Sequence, residues 1–118
     1  KLFRDQPFMI SASSRFKMQL ACDRLVGDTC AISNTSSGHS VPVDVLVSMP
    51  NGIGNDDDSS VSREPLRAST GLLFKSTHYV DNKPSTLHFE IQRQHVLQML
   101  SEQGKYSGNI TVVWDSEI

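Results

Sequence analysis

Four histidines are the side chains of this sequence best suited to acid–base chemistry, because imidazole titrates near neutral pH. His88 lies between Leu87 and Phe89 in an alternating segment, which predicts that it faces outward and is solvated. No nucleophile, base and orienting acid share a recognisable spacing, and HExxH, GxSxG, P-loop and GxGxxG motifs are absent. We therefore expect no catalytic residues and no enzyme activity. The four histidines are His39 in a Ser/Gly-rich loop, His78, His88, and His95 at the start of a short helical segment.

Residues 51–58 could offer oxygen ligands to calcium through three consecutive aspartates, Asp56, Asp57 and Asp58. The segment lacks the alternating carboxylates and the final bidentate Glu of an EF-hand loop. A run of like charges is typical of a solvated loop. We therefore expect no metal site and no cofactor.

The two cysteines, Cys22 and Cys30, have seven residues between them. Two thiolates cannot complete a structural zinc site, and the spacing is not that of a CxxC motif. The intervening segment contains Gly27 and two aspartates, which suits a tight turn and favours a disulfide. Closing so small a ring would stabilise the fold by about 2.5 kcal/mol. Two unrelated buried thiols remain the alternative; a disulfide implies an oxidising compartment.

Length and charge limit the classes of function. The chain has 118 residues, which fits one domain. Its 11 basic and 13 acidic residues give a net charge of −2, whereas surfaces that bind nucleic acid carry a basic excess. No apolar run approaches the roughly 18 residues that span a bilayer. We expect neither nucleic-acid binding nor membrane insertion.

Hydrophobic residues alternate along most of the chain, the pattern of half-buried strands. Six or seven short strands separated by turn signals predict an all-β antiparallel sandwich of immunoglobulin-like type. Residues 94–101 have helical spacing instead and predict one short helix, while the polar segment 50–65 predicts the longest loop. The alternating positions are Phe8, Ile10 and Ala12; Phe16, Met18, Leu20 and Cys22; Val41, Val43, Val45 and Val47; and parts of 31–33, 72–74, 86–91 and 106–114.

The end of the chain resembles a known family. A G-x-Y-x-G motif at 104–108 leads into an alternating strand that ends TVVWDSEI at 111–118. This run is similar to the last strand of chaperone–usher pilus subunits, and more narrowly of the minor tip subunits of class 5 (alternate-chaperone) fimbriae, the pilus initiators and tip adhesins. Residues 79–90 and 96–100 also resemble that family, so that the similarity covers about 41–118.

The resemblance implies an incomplete immunoglobulin-like sandwich, the pilin fold, which lacks its seventh strand. Residues 1–118 would be a single pilin domain, without the N-terminal adhesin domain of the full protein. It would join the tip adhesin to the pilus shaft by donor-strand complementation and initiate assembly. Its partners would be a periplasmic chaperone, the usher and the donor strand of the next subunit. It would occupy the periplasm during assembly and then the fimbrium at the bacterial cell surface. Residues 1–7, charged and containing Pro7, make a poor donor extension, which fits a tip position.

The same resemblance indicates where a foreign strand would bind. Family chaperones anchor the terminal carboxylate of a subunit, which here belongs to Ile118. The predicted groove residues are Phe8, Ile10, Ala12, Ile110, Val112 and Trp114. These six residues could instead be core residues of a complete sandwich. The chain would then be an immunoglobulin-like adhesin module that binds a receptor through its loops.

Overall fold

The structure is a computed structural model that describes residues 2–102 and 104–116. These residues contain eleven strands and one helix. In chain order they are β1 Leu2–Ala12, β2 Phe16–Cys22, β3 Leu25–Val26, β4 Thr29–Asn34, β5 Ser40–Ser48, β6 Ile53–Asn55, β7 Glu64–Pro65, β8 Leu72–Ser76, β9 Val80–Ile91, α1 Arg93–Ser101, β10 Tyr106–Ser107 and β11 Ile110–Ser116.

Two antiparallel sheets contain all of these strands. The larger sheet has the order β1-β9-β5-β4-β10, with β3 added to β4 and β7 added to β5. The smaller sheet has the order β11-β2-β8-β6. The prediction of an all-β antiparallel sandwich with one short helix is confirmed. That helix, α1, is the one helix among the described residues, and it is too short and too polar to cross a membrane.

The core lies between the sheets and follows the alternation in the sequence. β2 contributes Phe16, Met18 and Leu20, each at most 3% exposed. β5 contributes its four odd-numbered valines from Val41 to Val47, all at most 5% exposed. Burying side chains of this size is worth about 1.5–3 kcal/mol each, which makes these two strands the centre of the fold.

The segment 50–65 is less of a loop than its polar sequence predicts. It contains β6 and β7, and Val61 and the following Leu66 are buried in the core. Two- and three-residue strands are too short to show alternation, which is why the sequence pattern missed them. Their role is to close the edge of β8 and to cover part of β5.

Two links join the sheets where the chain changes from one to the other. The disulfide between Cys22 and Cys30 is present, with a Cα–Cα distance of 5.6 Å, and connects β2 to β4. The alternative of two free thiols is therefore excluded. Nearby, the chain passes from β10 in the larger sheet to β11 in the smaller one through Gly108. This crossover fixes the start of β11 against β4.

Gly108 has no room for a side chain. A Cβ atom there would lie 2.9 Å from the backbone oxygen of Ala31 and 3.3 Å from the Cα of Ile32. We expect Gly108→Ala to lower the free energy of unfolding by about 1–3 kcal/mol, because the backbone must shift to accept the methyl group. Urea denaturation measures the effect.

Gly71→Ala is the control for this substitution. A Cβ at Gly71 would overlap Cδ and Cγ of Lys17, so that this side chain must take another rotamer, but its three nearest atoms include no backbone. We expect a smaller loss than for Gly108→Ala, of about 0.5–1 kcal/mol, because a side chain rearranges more easily than a backbone. Equal losses for the two variants would contradict the close backbone approach at the crossover.

Candidate functional site

The feature that distinguishes this sandwich is a pair of edge strands on either side of an uncovered part of the core. β1 ends the larger sheet and pairs only with β9 among the described residues, while β11 ends the smaller sheet and pairs there only with β2. Each strand therefore has one edge without a strand partner in the described part of the chain. Such edges carry backbone N–H and C=O groups that can accept a further strand.

A cavity of about 370 Å³ lies between the starts of these two strands. Its floor is the core-facing side of the larger sheet, which no strand of the smaller sheet covers at this end. Apart from one arginine, every residue around it is apolar. The lining consists of Leu2, Phe3 and Arg4 of β1, Ile32 of β4, Val43 of β5, Phe89 and Ile91 of β9, and Ile110 of β11.

The other ends of the two edge strands also lie close to one another, since both contribute to one cavity. There a smaller cavity of about 120 Å³ is lined by residues 11–14 together with Phe16 and Trp114. The space between the two strands thus holds a larger, apolar cavity at one end, here named the wide end, and a smaller cavity at the other, the narrow end. We call it the wedge groove, with its wide end defined by Leu2, Arg4, Ile32, Val43, Phe89, Ile91 and Ile110.

The structure distributes the six predicted groove residues along this gap. Ile110 lines the wide end, and Ala12 and Trp114 line the narrow end. Ile10 is only 3% exposed and belongs to the core, against which Phe8 and Val112 pack half-buried. Ile118 lies outside the described residues.

Trp114 closes the narrow end of the groove by contact with the core. Its ring is 40% exposed and stacks on that of Phe16, with a centroid distance of 4.3 Å and an interplanar angle of 5°. Phe16 also contacts Phe74 at 5.5 Å. This stacking holds the end of β11 against β2.

The floor of the wide end could not be predicted from the sequence. Ile32, Val43, Phe89 and Ile91 have the spacing of core positions, and their pattern carries no sign that Ile32, Phe89 and Ile91 stay partly exposed. This exposure becomes visible only from the order of the strands in the two sheets.

Arg4 breaks the apolar character of the wide end. The register pairs Arg4 with Phe89 and Leu2 with Ile91, and paired residues share a face of the sheet. Arg4 therefore lies on the core-facing side of β1. It makes no hydrogen bond or ion pair with any residue of 2–102 or 104–116.

His88 corrects one prediction from the sequence. It does lie on the outer face of the larger sheet, but it is only 8% exposed, so the prediction that it is solvated is wrong. In the neutral tautomer that suits both neighbours, Nδ1–H donates to Asp5 Oδ1 and Nε2 accepts from the Ser48 hydroxyl, each over 2.8 Å. Ser48 Oγ also accepts the backbone N–H of Arg63 at 3.0 Å. The two hydrogen bonds of this buried histidine therefore link three neighbouring strands, β1, β9 and β5.

The order Asp5–His88–Ser48 is that of a serine hydrolase triad, but its surroundings differ from an active site. Ser48 and His88 line neither the 370 Å³ cavity nor the 120 Å³ cavity between the edge strands. The amide N–H of Arg63 is bonded to Ser48 Oγ itself and is not directed at a place where a substrate oxygen could sit. The row instead ties the edge strand β1 to β9 and β5.

The aspartates of residues 56–58 do not converge on a common point. Asp56 pairs with Arg15 at 3.4 Å and Asp58 with Lys75 at 2.9 Å. The hydroxyl of Ser59, and then its backbone N–H, donates to Asp57 and lowers the pKa of that carboxyl. Within the described residues no group of three metal-ligating side chains comes together.

A second, polar cavity of about 640 Å³ lies at the loops beside β4. Its lining is rich in hydroxyl groups and includes one acidic and one basic side chain. Asn34 shapes this loop, since its Oδ1 accepts the backbone N–H groups of Ser36 and Ser37. The lining residues are Asp23, Arg24, residues 33–38 and residues 107–109.

Comparison with known proteins adds no relative: no family model, curated protein or solved structure matches this chain.

Proposed function

We propose that this chain is a structural pilus subunit, the tip pilin domain of a chaperone–usher fimbria of class 5. It joins a tip adhesin to the pilus shaft by donor-strand complementation and initiates assembly. Two observations support the proposal: the resemblance of residues 41–118 to that family, and the wedge groove. The groove carries most of the weight, because it combines an apolar floor with two strand edges that lack partners among the described residues.

An added strand beside β11 would complete the smaller sheet and cover the floor of the groove. Three half-buried side chains of the larger sheet would lose their remaining contact with water: Ile32, Phe89 and Ile91. About five inward side chains of such a strand, each contributing about 1.5–3 kcal/mol, would add roughly 8–15 kcal/mol, which is comparable to the net stability of a domain. The chain should therefore be marginally stable until a partner strand binds.

The proposed partners follow from the order of assembly. A periplasmic chaperone occupies the groove first and anchors the chain at Ile118, and the donor strand of the next subunit replaces it at the usher. The disulfide between Cys22 and Cys30 fits the oxidising periplasm. The final location is the fimbrium at the cell surface.

Thermal unfolding in the presence of a synthetic strand tests this function. The probe is a capped peptide of about twelve residues in which valine alternates with threonine, long enough for one strand. We expect a saturating peptide to raise the melting temperature by about 10 °C or more, since it binds only the folded state. A peptide of the same composition with two central prolines should have no effect, because proline cannot donate to a strand ladder.

Neighbouring substitutions on β11 locate the binding site. Ile110 is half-buried at the wide end, whereas Thr111 is exposed on the opposite face of the same strand. Ile110→Arg should remove the response to the peptide, and Thr111→Arg should keep it. A chain that melts high by itself and does not respond to the peptide would contradict the proposal.

The polar cavity beside β4 favours a second candidate, an immunoglobulin-like adhesin module that binds a receptor through its loops. Hydroxyl groups, Asp23 and Arg24 there suit a hydrophilic ligand such as a glycan. Under this function Arg24→Ala abolishes binding to a glycan array and leaves the response to the peptide unchanged. Under the first function the array shows no binding at all.

A further inference from the structure

Arg4 is the one charged residue on the core-facing side of β1. The core-facing residues of that strand are Leu2, Arg4, Gln6, Phe8, Ile10 and Ala12, and Arg4 is the one of them that brings a guanidinium to the border of the wide cavity. Arginine is charged at any physiological pH and carries five N–H donors in a planar fork that matches a carboxylate. A strand bound in the wedge groove would partly cover this group.

The nearest acidic side chains of the same sheet are engaged elsewhere. Asp5 faces the other side of β1, where it accepts the hydrogen bond of His88. Glu90 lies on that side too and pairs with Arg63. Arg4 is exposed and pairs with no described residue of this chain, so its guanidinium is available to a carboxylate of the occupant of the groove.

We propose that the wedge groove selects an extended segment of another protein chain that carries an aspartate or glutamate among its inward apolar residues, placed to pair with Arg4. The inference rests on the proposed strand addition and specifies the partner's sequence. A purely apolar strand would cover a cation without compensating it, which is unfavourable, and a lysine at this place would repel it. The acidic residue thus sets the register as well as the identity of the bound strand.

Matched peptides test the selection. The valine–threonine peptide of the thermal experiment serves as host, and each inward valine in turn is replaced by Glu, Gln or Lys. Binding is followed through Trp114, the only tryptophan of the chain, which lines the narrow end of the groove. At one position we expect the Glu peptide to bind about two- to tenfold more tightly than the Gln peptide, and the Lys peptide more weakly than both.

Variants of Arg4 show whether this residue is responsible. Arg4→Gln should remove the difference between Glu and Gln peptides, and Arg4→Glu should reverse the order so that the Lys peptide binds best. Arg67→Gln, which removes an exposed arginine on another part of the surface, should leave the preference intact. Since the chain carries a net charge of −2, general electrostatic attraction would favour the Lys peptide, and a preference for Glu points to a local cation.

The outcomes separate this inference from the function on which it rests. If all peptides bind and raise the melting temperature equally, strand addition stands and selection by Arg4 is wrong. If the Glu preference survives in Arg4→Gln, the inference is also wrong. If no peptide binds, both proposals fail. Higher salt should reduce the Glu preference, because the pair is only partly shielded from solvent.

Discussion

Phe16→Ala should lower the free energy of unfolding by about 3–5 kcal/mol, the range for large-to-small changes at a buried phenylalanine. At about 4–8 °C per kcal/mol, the melting temperature should fall by about 12–40 °C. Phe16 is 1% exposed and its ring contacts those of Phe74 and Trp114, so that its loss leaves a cavity and frees the end of β11. Differential scanning calorimetry measures the shift.

An exposed phenylalanine provides the control for this effect. Phe3 lies on the edge strand β1 and is 73% exposed, so that Phe3→Ala should change the free energy of unfolding by no more than about 0.5 kcal/mol. If both variants lost the same stability, the assignment of Phe16 to the core would be wrong. Phe16→Ala should also weaken binding of the valine–threonine peptide, because the narrow end of the wedge groove depends on the stacked Trp114 ring.

Removal of the disulfide is the second change with a large expected effect. Replacing Cys22 and Cys30 together by alanine opens a ring with a sequence separation of 8, for which loop entropy predicts a loss of about 2.5 kcal/mol. The melting temperature should fall by about 10–20 °C. The effect extends to the groove, because Cys22 is paired with Ile110 at the start of β11.

Reduction of the unsubstituted chain offers an independent route to the same state. Dithiothreitol should lower its melting temperature by a similar amount and should have no effect on the double alanine variant. Both effects are followed by circular dichroism during heating. A melting temperature that responds neither to the reductant nor to the double substitution would show that the link between β2 and β4 contributes nothing to stability.

The strands of this fold could be predicted wherever the alternation was long enough to see. β5 presents four valines at alternate positions and β2 three large apolar residues, and both appear as expected because each has a buried and a less buried side. β6 has three residues and β7 has two, so neither strand could be predicted from hydrophobic alternation. β1 was expected to begin near Phe8, but it starts at Leu2 and continues through Pro7, which an edge strand tolerates.

The candidate site was harder to predict than the elements that form it. Ile110 and Trp114 could be proposed from the sequence because they lie on the last strand, whereas Val43 and Phe89 look like ordinary core residues. They line a groove because no strand of the smaller sheet covers that end of the larger sheet. The order of the strands in a sheet cannot be predicted from the local hydrophobic periodicity of the sequence. His88 shows the same limit, since its burial depends on Asp5 and Ser48 from distant parts of the sequence.

The pairing of β11 with β2 has a mechanical consequence. The two strands are in register over seven residue positions, from Ile110 opposite Cys22 to Ser116 opposite Phe16. Their hydrogen bonds run across the strands, so a pull along β11 loads all of them in shear at the same time. The covalent bridge at Cys22 then passes tension on to β4 in the opposite layer. A chain built in this way would resist extension along β11 better than peeling of β11 away from β2.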